Sequence, residues 1–152
     1  MKINRYLKEL GLTEYDLPGN YYPDLKLEEG AAAADIRNKE DEEGFCSYEF
    51  FSLDYTLSLY IYSKLCYFRE HIADLATPGC LCTYRDSVFK TEEEKNKAHQ
   101  EAHQLWLSIV DKMIEAFKLK ITGVRDGYEG IDNEKIRKGM QCFIDYYDCL
   151  WY

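Results

Sequence analysis

Asp111 and Glu115 stand four residues apart in a segment with helical periodicity, so their carboxylates share one helix face. Asp54 supplies a third carboxylate from an earlier segment of the same kind. Carboxylates presented by facing helices can hold a divalent cation, and a held cation can drive phosphate-ester hydrolysis. A plainer reading is a solvated charged row opposite an apolar stripe, with Lys112 and Lys118 as neighbours, and ordinary amphipathic helices favour it. The all-helical nucleotide pyrophosphohydrolases pair a Glu-x-x-Glu helix with a Glu-x-x-Asp helix. Here Glu40 and Glu43 have the first spacing but fall in a charged run with no second element after it, which counts against that class.

His99 and His103 are also four apart, a spacing that lets two imidazoles share a zinc ion. "HQEAH" is not the His-Glu-x-x-His of zinc proteases, because Glu101 falls one position late. His71 is the only other histidine, and Cys80 and Cys82 are separated by one residue rather than two. A polar helix face with scattered histidines is the reading preferred, and neither a metal nor a cofactor is expected. No Gly-x-Ser-x-Gly, phosphate loop or dinucleotide fingerprint occurs, and "GVRDGYEG" (123–130) reads as a connector between helices. Binding is therefore a better expectation than catalysis.

The elements that must carry these residues are helical throughout. "KINRYLKEL" (2–10) places Ile3, Tyr6, Leu7 and Leu10 at helical spacing, with Gly11 as a stop. Pro18, Gly19, Asn20 and Pro23 then predict an ordered loop, followed by a mobile acidic segment to about residue 44. From residue 53, Leu53, Leu57, Ile61, Leu65, Phe68 and Ile72 predict one apolar stripe, with Tyr55, Leu59, Tyr62 and Cys66 as a second row beside it. Ser52 is the expected N-cap and Asp54 suits the first turn. Pro78 and Gly79 open a connection holding a brief turn. Thr91 and Glu94 have capping-box spacing, and no Gly or Pro interrupts the chain from there to Ile121, so a helix of roughly 29 residues and about 43 Å is expected. Its face is Ala98, Ala102, Leu105, Ile109, Met113, Ala116, Phe117 and Lys120, and its first three turns are mostly polar. Asp132 is the expected N-cap of a last helix over 133–151, with a stripe at Ile136, Met140, Phe143, Tyr147 and Leu150.

No strand-like alternation persists, so the fold class is all-α: a small bundle of three main helices, a short N-terminal helix and an irregular N-terminal arm. One domain over 1–152 is expected, with the arm at 1–45 and the helical core at 46–152. The net charge of -9 argues against nucleic acid as a partner, because backbone phosphates require excess Lys and Arg. No apolar run reaches the ~18 residues needed to cross a membrane, and the start lacks the apolar core of a secretion signal, so a cytoplasmic protein with free thiols is expected. Fourteen tyrosines exceed what one small core needs. The surplus, with Tyr55, Tyr62, Tyr146 and Tyr152 as the chosen positions, is expected to meet a partner protein or another copy of the chain.

Three phrases, "SLDYTL" (52–57), "WLSIVDKMIEAF" (106–117) and "KIRKGMQCFIDYYDCLW" (135–151), occurring in that order, resemble a family of small, largely uncharacterised helical proteins encoded by tailed phages and prophages. The family pattern runs Leu-Asp-x-Thr-Leu, then Trp-x-x-Ile-Leu-Asp-Lys-Met-Ile-x-Ala/Gly-Phe, then Ile-x-x-Gly-Leu-x-x-Phe-x-x-Tyr-x-x-x-Leu-Trp, with Val110 and Met140 here in place of the usual Leu. The resemblance implies a phage product acting in the cytoplasm of a bacterial host, and it carries no activity or site with it. Its first expectation is an accessory protein that binds and neutralises a host factor, such as a component of antiviral defence. An oligomeric protein that sequesters a small nucleotide signal is the alternative, with a basic pocket drawn from Arg69, Arg85, Arg125 or Arg137. A metal-dependent nucleotide or phosphoester hydrolase using Asp54, Asp111 and Glu115 is the rival from another class.

Overall fold

A computed structural model of the 152-residue chain describes residues 3–17, 53–82 and 89–150. The expected loop and acidic segment, Ser52, Arg85 and Tyr152 lie outside the described residues. The described helices are α1 (Arg5–Glu9), α2 (Leu53–His71), α3 (Glu92–Asp126) and α4 (Asn133–Asp145), with 3-10 turns at Glu14–Asp16, Gly79–Leu81 and Tyr147–Cys149. The fold is all-α, a small helical bundle, and no strand occurs among the described residues. None of the described helices is long and apolar enough to cross a membrane. Two compact units, Met1–Ser63 and Lys64–Tyr152, divide the chain within α2.

In the first unit, the Asn4 side chain does two jobs at the start of α1. Its carbonyl oxygen accepts from the Leu7 N–H at 3.3 Å, and its amide donates to Ser63 Oγ at 3.0 Å. Leu7, Leu12 and Leu17 are buried. Tyr55 donates its hydroxyl to the Asp16 carbonyl at 3.3 Å, joining α2 to the Glu14–Asp16 turn. Ser58 and Ser63 are the buried polar residues of this stretch, and each satisfies its hydroxyl on the carbonyl four residues back, Asp54 at 2.6 Å and Leu59 at 2.8 Å.

The buried row of α2 is not the one the sequence pattern ranks first. Tyr55, Ser58, Leu59, Tyr62 and Leu65 turn inward, whereas Leu53 and Leu57 are 44% and 47% exposed. Small serines at 58 and 63 make the second row the flatter surface, and tyrosines can be buried on it because their apolar rings carry most of the area. Tyr55 and Tyr62, expected as surplus contact surface, are therefore packing residues at 2% and 6% exposure.

In the second unit α3 is longer than expected, running through Gly123 to Asp126, about 52 Å over its 35 residues. Thr91 Oγ1 accepts from the Glu94 N–H at 3.1 Å, and the Glu94 carboxylate reaches back to the Lys90 N–H at 2.8 Å. The helix stops at Gly127, whose φ of 93° is the left-handed region where a Cβ is strained, and its N–H closes on the Gly123 carbonyl at 3.0 Å. Trp106, Leu107, Ile109, Val110, Met113, Ala116, Phe117 and Ile121 are buried, and the opening turns are polar and mostly exposed.

α4 begins where the sequence places it, with Asp132 Oδ1 accepting from the Glu134 and Lys135 N–H groups at 3.0 and 3.1 Å. It ends at Asp145 rather than 151, and the chain tightens into the Tyr147–Cys149 turn. That tightening rotates the terminal aromatics. Tyr146, expected to face solvent or a partner, is half-buried with its ring 6.2 Å from that of Trp106, while Ile144 and Tyr147 are exposed. Edge-to-face pairs Phe117–Phe143 at 5.3 Å and Phe68–Trp106 at 6.1 Å complete the aromatic seam.

Gly139, buried on α4, sets how near α3 and α4 lie. A Cβ there falls onto the Lys112 carbonyl oxygen and 2.5 Å from Ala116 Cβ, so only a residue without a side chain fits. Backbone cannot step aside as a flexible side chain can. Gly139→Ala is expected to destabilise the chain by about 1–3 kcal/mol in urea unfolding, although alanine alone favours a helix by about 1 kcal/mol. An unchanged or raised midpoint contradicts the close approach.

Candidate functional site

The approach at Gly139 lays the first two turns of α4 along the middle of α3 and leaves a groove of about 520 Å³ beside the seam. Gln104, Leu107, Ser108, Asp111, Lys112 and Glu115 line it from successive turns of one α3 face, Lys135 and Lys138 from α4, and Arg69 from the end of α2. Leu107 is buried and adds apolar surface among the polar and charged side chains that line the groove.

Charge within the groove is unevenly partnered. Arg69 Nε donates to Asp111 Oδ1 at 2.8 Å, and Lys118 Nζ stands 3.8 Å from Glu115 Oε2. On α4, Arg137 donates to both oxygens of Glu134 at 3.0 and 2.9 Å, and Lys138 Nζ lies 3.4 Å from the same carboxylate. Those bonds, Arg137's first and then Lys138's, hold the Glu134 carboxyl down to about 2. Lys112 and Lys135 have no ion-pair partner among the described residues. Two lysines without an ion-pair partner among the described residues thus line one open groove, on a chain of net charge -9.

Such a wall suits an anion that also carries hydroxyls. Ammonium groups bind phosphate oxygens as point charges, while Asp111, Glu115, Ser108 and Gln104 can accept from or donate to a polyol. The structure thereby gathers Asp111, Glu115 and Arg69 in one place. Asp54 belongs to the first unit, exposed in the opening turn of α2, and does not line the groove. Arg125 turns onto the neighbouring Asp126 carboxylate, lowering that group's pKa through its hydrogen bond, and Arg137 is spent on Glu134. Neither lines the groove.

The histidines do not share a ligand position. His103 has both ring nitrogens engaged, Nδ1 with Thr77 Oγ1 at 3.0 Å and Nε2 with Asp74 Oδ1 at 3.3 Å, while His99 Nε2 is buried without a hydrogen-bond partner. Among the described residues no three His, Cys, Asp or Glu side chains are grouped to hold a metal ion. Comparison with protein-family models, with curated proteins and with solved structures finds no match for this chain.

Lys112, Lys135 and Lys138 are the groove residues that sequence reasoning missed. Their signal was present. Lys135, Lys138 and Gly139 share one α4 face, and a glycine within a helix marks a face that another backbone approaches. Of the arginines that the sequence offered for a basic pocket, Arg69, Arg125 and Arg137 are each hydrogen-bonded to a carboxylate instead.

Because the Glu134 pKa is depressed, the stability it contributes is complete above its ordinary value of 4.5 and is lost as pH falls through about 2. An NMR titration is expected to find its midpoint near 2 in the native chain and to see it rise toward 4.5 in Arg137→Ala. A midpoint of 4.5 before substitution contradicts the ion pairing.

Proposed function

We propose that this chain is a binding protein that sequesters a small phosphorylated ligand of the nucleotide class in the groove between α3 and α4. One observation carries the reading: Lys112 and Lys135 face the same groove with no carboxylate partner among the described residues. Phosphate oxygens would meet these two ammonium groups, ribose hydroxyls would donate to Asp111 or Glu115, and an apolar edge would cover Leu107. Sequestration is favoured over hydrolysis because Asp111 is taken up by Arg69 and Glu115 faces Lys118, which leaves neither carboxylate uncommitted for a cation. The sequence resemblance to tailed-phage proteins supports an activity in an infected bacterium, where withdrawing a host nucleotide signal would serve the phage.

A second reading, capture of a host protein, rests on a different face. Leu53, Leu57 and Tyr60 stand outward on α2 in the first unit, at the three- and four-residue intervals a helix-reading partner uses.

Calorimetric titration with mono-, di- and cyclic nucleotides tests the first reading. At least one is expected to bind and to raise the melting temperature by linkage, with the nucleoside lacking phosphate inactive. Lys112→Gln and Lys135→Gln are each expected to weaken binding roughly tenfold, the scale of one charge-assisted contact. No binding across the panel, or metal-dependent turnover lost in Asp111→Asn and Glu115→Gln, overturns sequestration; a stable protein complex lost in Leu57→Asp supports the second reading.

A further inference from the structure

Away from the groove, two thiols meet across two of the short turns described in the second unit. Cys80 sits in the Gly79–Leu81 turn and Cys149 in the Tyr147–Cys149 turn, with their Sγ atoms 3.5 Å apart. They lie 69 positions apart in sequence, and that span contains all of α3 and α4. Cys80 is exposed and Cys149 half-buried. We propose that Cys80 and Cys149 form a reversible thiol-oxidation site, closing to an intramolecular disulfide in exchange with a low-molecular-weight disulfide such as oxidised glutathione.

The roles follow from exposure. Burial pushes the Cys149 thiol up to about 11, helped by its hydrogen bond with Cys80, so Cys149 stays protonated and reacts second. The Cys80 thiolate attacks one sulfur of oxidised glutathione, forming a mixed disulfide and releasing one glutathione thiolate, which takes up the proton Cys80 lost. The Cys149 sulfur then displaces the second glutathione from Cys80, and its proton passes to that leaving thiolate. Two protein thiols are oxidised, one glutathione disulfide is reduced to two thiols, and no other oxidant is needed.

Closing from 3.5 Å to a bond of ~2.05 Å requires a shift of about 1.5 Å, within reach of side-chain rotation in two turns that are not anchored inside long helices. The bond would tie the residues after α4 to the connection before α3. Tyr146, its ring tilted at 6.2 Å from that of Trp106 and within electrostatic reach of Cys80 and Cys149, lies beside the closure and would be fixed with it. This inference is independent of the ligand reading, since its readout is covalent.

Incubation of the native full chain with excess oxidised glutathione is expected to remove two hydrogen atoms, about 2 Da, and to link the Cys80 and Cys149 peptides. The linked chain is expected to melt about 5 °C or more higher than the reduced one. Cys80→Ser and Cys149→Ser should each abolish the link, with Cys142→Ser and Cys82→Ser retaining it. Differential alkylation of the unmutated protein supplies a readout without substitution: Cys80 and Cys149 become protected together. A lasting glutathione adduct on Cys80, a link to a different cysteine, or no link under these conditions overturns the proposal.

Discussion

The absence of a methyl group at residue 139 lets α3 and α4 of the second unit meet backbone to backbone. Gly139 lies against the Lys112 carbonyl and Ala116, and the two longest-packed helices of the second unit meet there. From that point the aromatic seam follows in one direction, Phe143 on Phe117 and Tyr146 near Trp106. In the other direction, within the preceding turn of α4, Lys135 and Lys138 are carried in beside Lys112. One steric allowance thereby produces both a dry seam and a charged groove.

The groove's charge has physical meaning only against the rest of the chain. A protein of net charge -9 repels polyanions at long range, so a nucleic acid with many phosphates is a poor occupant. A ligand with one to three phosphates would meet the local field of Lys112 and Lys135 instead, within the roughly 8–10 Å over which salt leaves charges visible to each other. Arg69 contributes less than its charge suggests, because Asp111 already holds its Nε. Binding by these two lysines should therefore depend on salt while remaining local.

Helical periodicity made the fold class and most caps legible. Asp132 and Thr91 cap the helices that they precede, and Asp54 sits in the first turn of α2. What was illegible is rotation. On α2 two candidate rows run side by side, and periodicity cannot say which one turns inward; hydroxyls returned to the helix backbone at Ser58 and Ser63 let the tyrosine row do so. At the C-terminus a helix expected to continue gives way to a 3-10 turn, which swings Tyr146 inward and leaves Tyr147 outside. Of the candidate site, Asp111, Glu115 and Arg69 were chosen from their residue types and do share the groove. The lysines that give it its charge balance required knowing that α4 crosses α3 at a glycine.

Mapping an anion onto individual side chains tests the central claim most directly. With pyrophosphate added to the isotopically labelled chain, the account predicts saturable shifts of the Lys112 and Lys135 ammonium signals, weaker shifts at Lys138 and Arg69, and none at the exposed Lys8 or Lys97. Equal, unsaturated shifts over all surface lysines would contradict it, because they would mean that the groove attracts an anion no more than any other cationic side chain does.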